Sequence, residues 1–70
     1  MVLVIGTENC SRCNMTKNIL NNKNIVYDYK LIDSLTSEEQ NKYLDIAQQN
    51  GQMSYPLIFK DEVLTTLQKL

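Results

Sequence analysis

The chain is 70 residues long, with 43% hydrophobic and 21% charged residues, a net charge of −1, two cysteines and no histidine. Such a length makes one domain, residues 1–70, that buries only about 60% of its unfolded surface, and two cysteines are too few for a disulfide framework. Without histidine there is no Ser–His or Cys–His base and no imidazole metal ligand, and 7 Lys and Arg against 8 Asp and Glu leave no basic stripe for nucleic acid.

Val2 to Ile5 is a continuous apolar run closed by Gly6, as expected of a strand buried on both faces. It is the longest such run, far short of the roughly 20 residues of a membrane helix. Thr7-Glu8-Asn9 is a polar loop. Cys10-Ser11-Arg12-Cys13 opens a helix reaching about Asn22, with Met15, Ile19 and Leu20 as its apolar face. Asn21 to Asn24 end it.

Ile25 to Ile32 reads as a second strand, in which Tyr27, Tyr29 and Leu31 alternate with Asp28 and Lys30. Thr36 and Glu39 have the spacing of a capping box. The helix behind them carries Tyr43, Leu44, Ile46 and Ala47 on one stripe and stops at Asn50-Gly51. Leu57-Ile58-Phe59 is a third strand, Lys60-Asp61-Glu62 a tight turn, and Val63-Leu64 a short fourth strand. Thr65 to Leu70 leaves one or two helical turns capped by Thr65 or Thr66. The order is β-α-β-α-β-β-α. The first two strands should be parallel with a right-handed crossover, and the last two antiparallel. The three tyrosines Tyr27, Tyr29 and Tyr43 read as half-buried packing. Asp28, Glu38, Glu39 and Asp45 read as a solvated face.

The cysteines carry the chemistry. A bridge between Cys10 and Cys13 closes too small a ring to act as a staple. At the start of a helix, however, a thiolate gains from the dipole and from unpaired backbone N–H groups, which lower its pKa. Cys10, at the exposed end, is the natural nucleophile, and Cys13, one turn inward, the natural resolving thiol. Arg12 and Lys17 could add positive potential, and Glu8 would oppose it. Two structural thiols, or zinc or iron–sulfur ligation, are the alternatives. Such metal sites usually want four ligands, so a cluster would have to be shared across a dimer. No basic segment precedes a long apolar one, as a signal peptide would require. The chain is therefore expected in the cytosol, where cysteines are more often catalytic, redox-sensing or metal-binding than structural.

Together these features resemble the glutaredoxin branch of the thioredoxin superfamily. The resemblance rests on the first strand followed by Cys10-Ser11-Arg12-Cys13, on the run Cys13 to Leu20 with a lysine four residues past the second cysteine, and on Met53-Ser54-Tyr55-Pro56-Leu57-Ile58-Phe59. That last segment is similar to the family's Thr-Val-Pro-x-x-Phe, whose proline is cis and faces the cysteines. The resemblance implies a thioredoxin-like α/β fold, a four-stranded mixed sheet with a shortened last helix. It implies a dithiol-disulfide oxidoreductase with catalytic Cys10 and Cys13, and a substrate surface of Arg12, Ser54, Tyr55, Pro56, Thr65 and Thr66. No bound cofactor is implied. Its partners would be a disulfide-containing protein and, as electron source, glutathione or a thioredoxin reductase, as for the small NrdH-type redoxins. A monomer is expected.

The sequence departs from the family pattern at definite places. Ser11-Arg12 replace Pro-Tyr, Thr7 stands where a lysine often helps to hold glutathione, and Tyr55 replaces a valine. Thr65-Thr66-Leu67-Gln68 align with a Gly-Gly-x-Asp segment that binds the glutathione γ-glutamyl end. These differences leave a second reading, a non-enzymatic thioredoxin-fold binding module or a metal site shared by a dimer.

Overall fold

The computed structural model describes residues 1–52 and 54–70; Met53, in the segment leading to Pro56, lies outside the described residues. The sheet is built around β1 (Val2–Gly6), with β2 (Tyr27–Leu31) on one side, and β3 (Leu57–Lys60) and then β4 (Val63–Thr65) on the other, in the order β2-β1-β3-β4. Strands β1 and β2 are parallel, with Val2 opposite Tyr27 and Gly6 opposite Leu31. Strand β3 runs antiparallel to β1, with Ile5 opposite Leu57, and β4 antiparallel to β3, with Lys60 opposite Val63. Mixed pairing of this kind follows from the connections: a helix joins β1 to β2, and a two-residue turn joins β3 to β4. Asp61 and Glu62 form that turn with φ of 51° and 69°, the left-handed pair that matches strand twist in a two-residue hairpin.

The pleat of β1 sends alternate residues to opposite faces. Val2 and Val4 meet Leu20 of α1 (Ser11–Asn22) and Ile58, with Tyr27, Tyr29, Leu67 and Leu70 packed around them. On the other face Ile5, Leu57 and Phe59 meet Ile32 and Ala47 of α2 (Ser37–Gln49), flanked by Tyr43, Leu44 and Tyr55. The hydrophobic run of β1 is thus accounted for by a strand covered on both sides. Its partner β2 is an edge strand whose Tyr27, Tyr29 and Leu31 are half-buried and whose Asp28 and Lys30 are exposed, as its alternation implies.

Helix α2 carries the expected capping box: the Glu39 N–H donates to Thr36 Oγ1 at 3.2 Å and the Thr36 N–H to Glu39 Oε1 at 3.4 Å. It ends at Asn50, and Gly51 follows at φ 71°. Among the described residues no helix is long and apolar enough to cross a membrane.

The structure corrects two expectations and narrows a third. Met15 is not part of the buried face of α1 but 62% exposed; Cys13, Thr16 and Leu20 are buried instead. At about 100° per residue Met15 lies some 200° round the helix from Cys13, so both cannot face the sheet. The second strand is shorter than Ile25–Ile32, since Val26 is exposed and Ile32 already begins a 3₁₀ turn, Ile32–Ser34. Thr65 is no helix cap, because it pairs with Ile58 as the last residue of β4. Beyond it Leu67–Lys69 form a single 3₁₀ turn with Thr66 at the N-cap and no side-chain cap hydrogen bond.

Phe59 is 1% exposed and its ring lies 4.9 Å from that of Tyr43, the contact that fastens α2 to the sheet. Phe59→Ala is expected to remove about 3–5 kcal/mol, comparable with the whole stability of a small domain. Urea unfolding followed by circular dichroism should show a protein largely unfolded before denaturant is added.

Candidate active site

The site forms where β1 gives way to α1. Asn9 has a φ of 55°, a left-handed turn that brings the chain round from the strand to the helix axis. Cys10 follows in extended conformation as the N-cap of α1. Its Sγ takes the place of the oxygen that usually caps a helix, accepting the Cys13 N–H at 3.2 Å. Its carbonyl accepts the Asn14 N–H at 3.1 Å. Cys10 and Cys13 are joined as a disulfide, with Cα atoms 5.2 Å apart. The two sulfur-bearing residues differ sharply in exposure. Cys10 is half-buried, whereas Cys13 is 1% exposed. No acidic side chain lies in the first turn of α1, so the positive end of the helix is not neutralised from within.

Of the other anticipated residues, the sheet register brings a group to the same end. Leu57 pairs with Ile5, and Pro56 therefore arrives beside the end of β1, from which the cysteine loop departs. The Tyr55–Pro56 peptide bond is cis. Tyr55 and Pro56 are half-buried and Ser54 is exposed. Thr65, opposite Ile58, and Thr66 after it return to that end through β4; Thr65 is half-buried and Thr66 exposed. Arg12 is exposed on the first turn of α1, and its carbonyl accepts the Thr16 hydroxyl at 2.8 Å. Lys17 is committed elsewhere than to the cysteines, its Nζ standing 4.3 Å above the centre of the Tyr29 ring. A hollow of about 80 Å³ on the α2 side of the Pro56 segment is lined by Leu44, Ala47, Tyr55 and Leu57 among others.

Gly6 is the residue whose part the sequence reading did not see. As a strand terminator it looks ordinary. Its even number puts it on the α1 face with Val2 and Val4, and there a Cβ would lie 2.8 Å from Cys13 Sγ and would overlap the Tyr29 hydroxyl. Glycine is needed for the close approach of helix and strand, not for an unusual backbone. The alternation of β1, carried one residue further, holds that signal.

A mixed four-stranded sheet, a cysteine pair at the N-terminus of its first helix and a cis-proline at the same end define the thioredoxin-like class of thiol-disulfide oxidoreductases. Within it the glutaredoxin family model matches residues 2–64, and the chain belongs to the glutaredoxin family. Its Cys10–Cys13 pair is that of a dithiol oxidoreductase. The glutaredoxin of Archaeoglobus fulgidus is 25% identical over 97% of this chain and 78% of its own, with a TM-score of 0.65. A wheat glutaredoxin, 17% identical over 90% of this chain and 58% of its own, superimposes with a TM-score of 0.69, a likeness of fold alone. No curated protein sequence matches the chain.

Gly6→Ala tests the packing of the site directly. The added methyl must push Cys13 or Tyr29 aside, and overpacking of this kind typically destabilises by about 1–3 kcal/mol. A fall in the urea midpoint is expected, with a larger fall for Gly6→Val.

Proposed function

We propose that this protein reduces disulfides of proteins and small molecules in the cytosol, with Cys10 as the attacking thiolate and Cys13 as the resolving thiol. The observation that carries this assignment is the unequal setting of the two sulfurs. Cys10 is the more accessible and receives a backbone N–H at the helix terminus, the setting that favours a thiolate. Cys13 is enclosed and bonded to Cys10.

The Cys10 thiolate attacks one sulfur of a substrate disulfide. A Cys10–substrate bond forms, the substrate bond breaks, and the departing thiolate takes a proton from water. Cys13, as thiolate, then attacks the Cys10 sulfur. The mixed disulfide breaks, the second substrate thiolate leaves, and the Cys10–Cys13 bond holds the oxidising equivalents. Two electrons pass to the substrate, and two must return. Glutathione or a thioredoxin reductase supplies them, which makes the protein an electron carrier in cellular redox homeostasis.

The substrate surface follows from the end of the sheet. The backbone at Tyr55 offers an N–H and a C=O beside the cysteine loop, on which an extended segment can pair as an added strand. Ser54 and Pro56 flank that edge, Arg12 presents a cation on the other side of the pair, and Thr65 and Thr66 close the margin. The protein acts as a monomeric glutaredoxin-like domain.

Reduction of insulin or hydroxyethyl disulfide is the assay. Cys10→Ser is expected to abolish turnover. Cys13→Ser should instead accumulate a mixed disulfide at Cys10, visible by mass spectrometry and released by dithiothreitol. Full activity in Cys10→Ser would refute the assignment. Turnover with glutathione and glutathione reductase, set against turnover with thioredoxin reductase, identifies the electron source. Thr7, Thr65 and Thr66 in place of the family's glutathione-holding residues favour a high KM for glutathione.

A further inference from the structure

Two groups occupy the space that a Gly6 side chain would take: the Tyr29 hydroxyl from β2 and the Cys13 sulfur from α1. Phenol and sulfur thus both lie over the end of β1. We propose that Tyr29 is the hydrogen-bond donor that stabilises the Cys13 sulfur as a thiolate while the Cys10–Cys13 bond opens and closes. The proposal rests on the exchange chemistry assigned above to that pair.

The need for such a donor comes from burial. A charge on Cys13, 1% exposed, is poorly hydrated and is costly unless something answers it. The helix terminus answers Cys10, through the Cys13 N–H. Cys13 lies further in, and its sulfur shares the end of β1 with the Tyr29 hydroxyl. Gly6 brings no polar side chain. Tyr29 brings an O–H. Lys17, one turn along α1 from Cys13, lies over the Tyr29 ring at 4.3 Å and holds it against the helix. Burial pushes the Tyr29 phenol up from its ordinary value, so it keeps its proton, and remains a donor, across the range in which a thiol titrates.

The step is balanced as follows. An incoming thiolate, glutathione for example, attacks Cys10 Sγ. A bond forms between those two sulfurs, the Cys10–Cys13 bond breaks, and its electron pair passes to Cys13 Sγ. The Tyr29 O–H turns onto that sulfur and supports the charge until water supplies a proton. In the opposite direction Tyr29 favours the deprotonated Cys13 that attacks the mixed disulfide on Cys10.

The test compares Tyr29→Phe with Tyr27→Phe, which loses the same hydroxyl two residues earlier in β2. Both are made in a Cys10→Ser background, where Cys13 is the only thiol. The Cβ chemical shift of ¹³C-labelled Cys13 is followed against pH. This reads the acidity of Cys13 without any turnover, so a failure here is distinct from a failure of the enzymatic assignment. Tyr29→Phe keeps the ring and its contact with Lys17, and is expected to lower the acidity of Cys13 about tenfold, the effect of one hydrogen bond to a charged group. Tyr27→Phe should leave it unchanged. In the protein with both cysteines, reduction of the Cys10–Cys13 bond by dithiothreitol should slow about threefold in Tyr29→Phe, because a less acidic thiol is the poorer leaving group. A second measurement leaves the packing almost untouched: 3-fluorotyrosine in place of tyrosine gives a more acidic phenol and a stronger donor, and should make Cys13 more acidic. An unchanged Cys13 titration in Tyr29→Phe, an equal shift in Tyr27→Phe, or no response to fluorotyrosine overturns the proposal.

Discussion

The close approach of α1 to the end of β1 at Gly6 is the constraint on which the site depends. A helix terminus is useful to a thiolate only if the sulfur occupies the capping position, and Cys10 does so through the Cys13 N–H. The same turn must then drive Cys13 into the sheet. Because Gly6 has no Cβ, the sulfur can enter the layer between helix and strand, where a methyl group would stand 2.8 Å from it. One glycine therefore permits both halves of the arrangement, an outer sulfur facing unpaired N–H groups and an inner sulfur enclosed by packing.

The rest of the fold holds that junction from two sides. On the α1 face, Leu20 packs on Val2, Val4 and Ile58 and sets the depth of the helix. On the opposite face, Phe59 and Ile5 anchor α2. The β3–β4 hairpin does more than extend the sheet. Its antiparallel register returns Pro56 to the end of β1 at which the cysteines lie, and carries Thr65 back to it. A parallel third strand would have entered the sheet at the far end. The mixed character of the sheet is thus what assembles an active site from three segments remote in sequence.

Much of this was legible from residues alone, for identifiable reasons. The apolar run of β1, the alternation of β2 and the capping box of α2 are local patterns whose causes are local, and each has the expected counterpart. The cysteine pair and Pro56 were readable through chemistry and family likeness. What escaped the reading lies at contacts between elements. Met15, apolar and suitably spaced from Ile19, reads as part of the buried face of α1. The position of Cys13 decides the matter instead, since the sheet takes the stripe through Cys13, Thr16 and Leu20. Thr65 and Thr66 suit a cap equally well by residue type; backbone pairing with Ile58 claims Thr65 and leaves Thr66 at the N-cap. Taken singly, Gly6 is a strand end and Tyr29 a half-buried ring. Their meeting at Cys13 is a property of the β1–β2 register combined with the rotation of α1, which no single segment encodes.

That combination bears on how so small a redox protein divides its labour. Here the Tyr29 hydroxyl and the Cys13 sulfur fill the space that a side chain at Gly6 would take. The outer sulfur draws on backbone dipoles, which are present at any helix start and do not depend on sequence. The inner sulfur must draw on a side chain, and the register of a parallel pair admits few positions from which one can reach it. Tyr29 holds such a position because its ring spans the distance from an edge strand to the neighbouring strand's end, and Lys17 keeps it there. An edge strand with one solvated side would otherwise give a tyrosine every reason to turn outward.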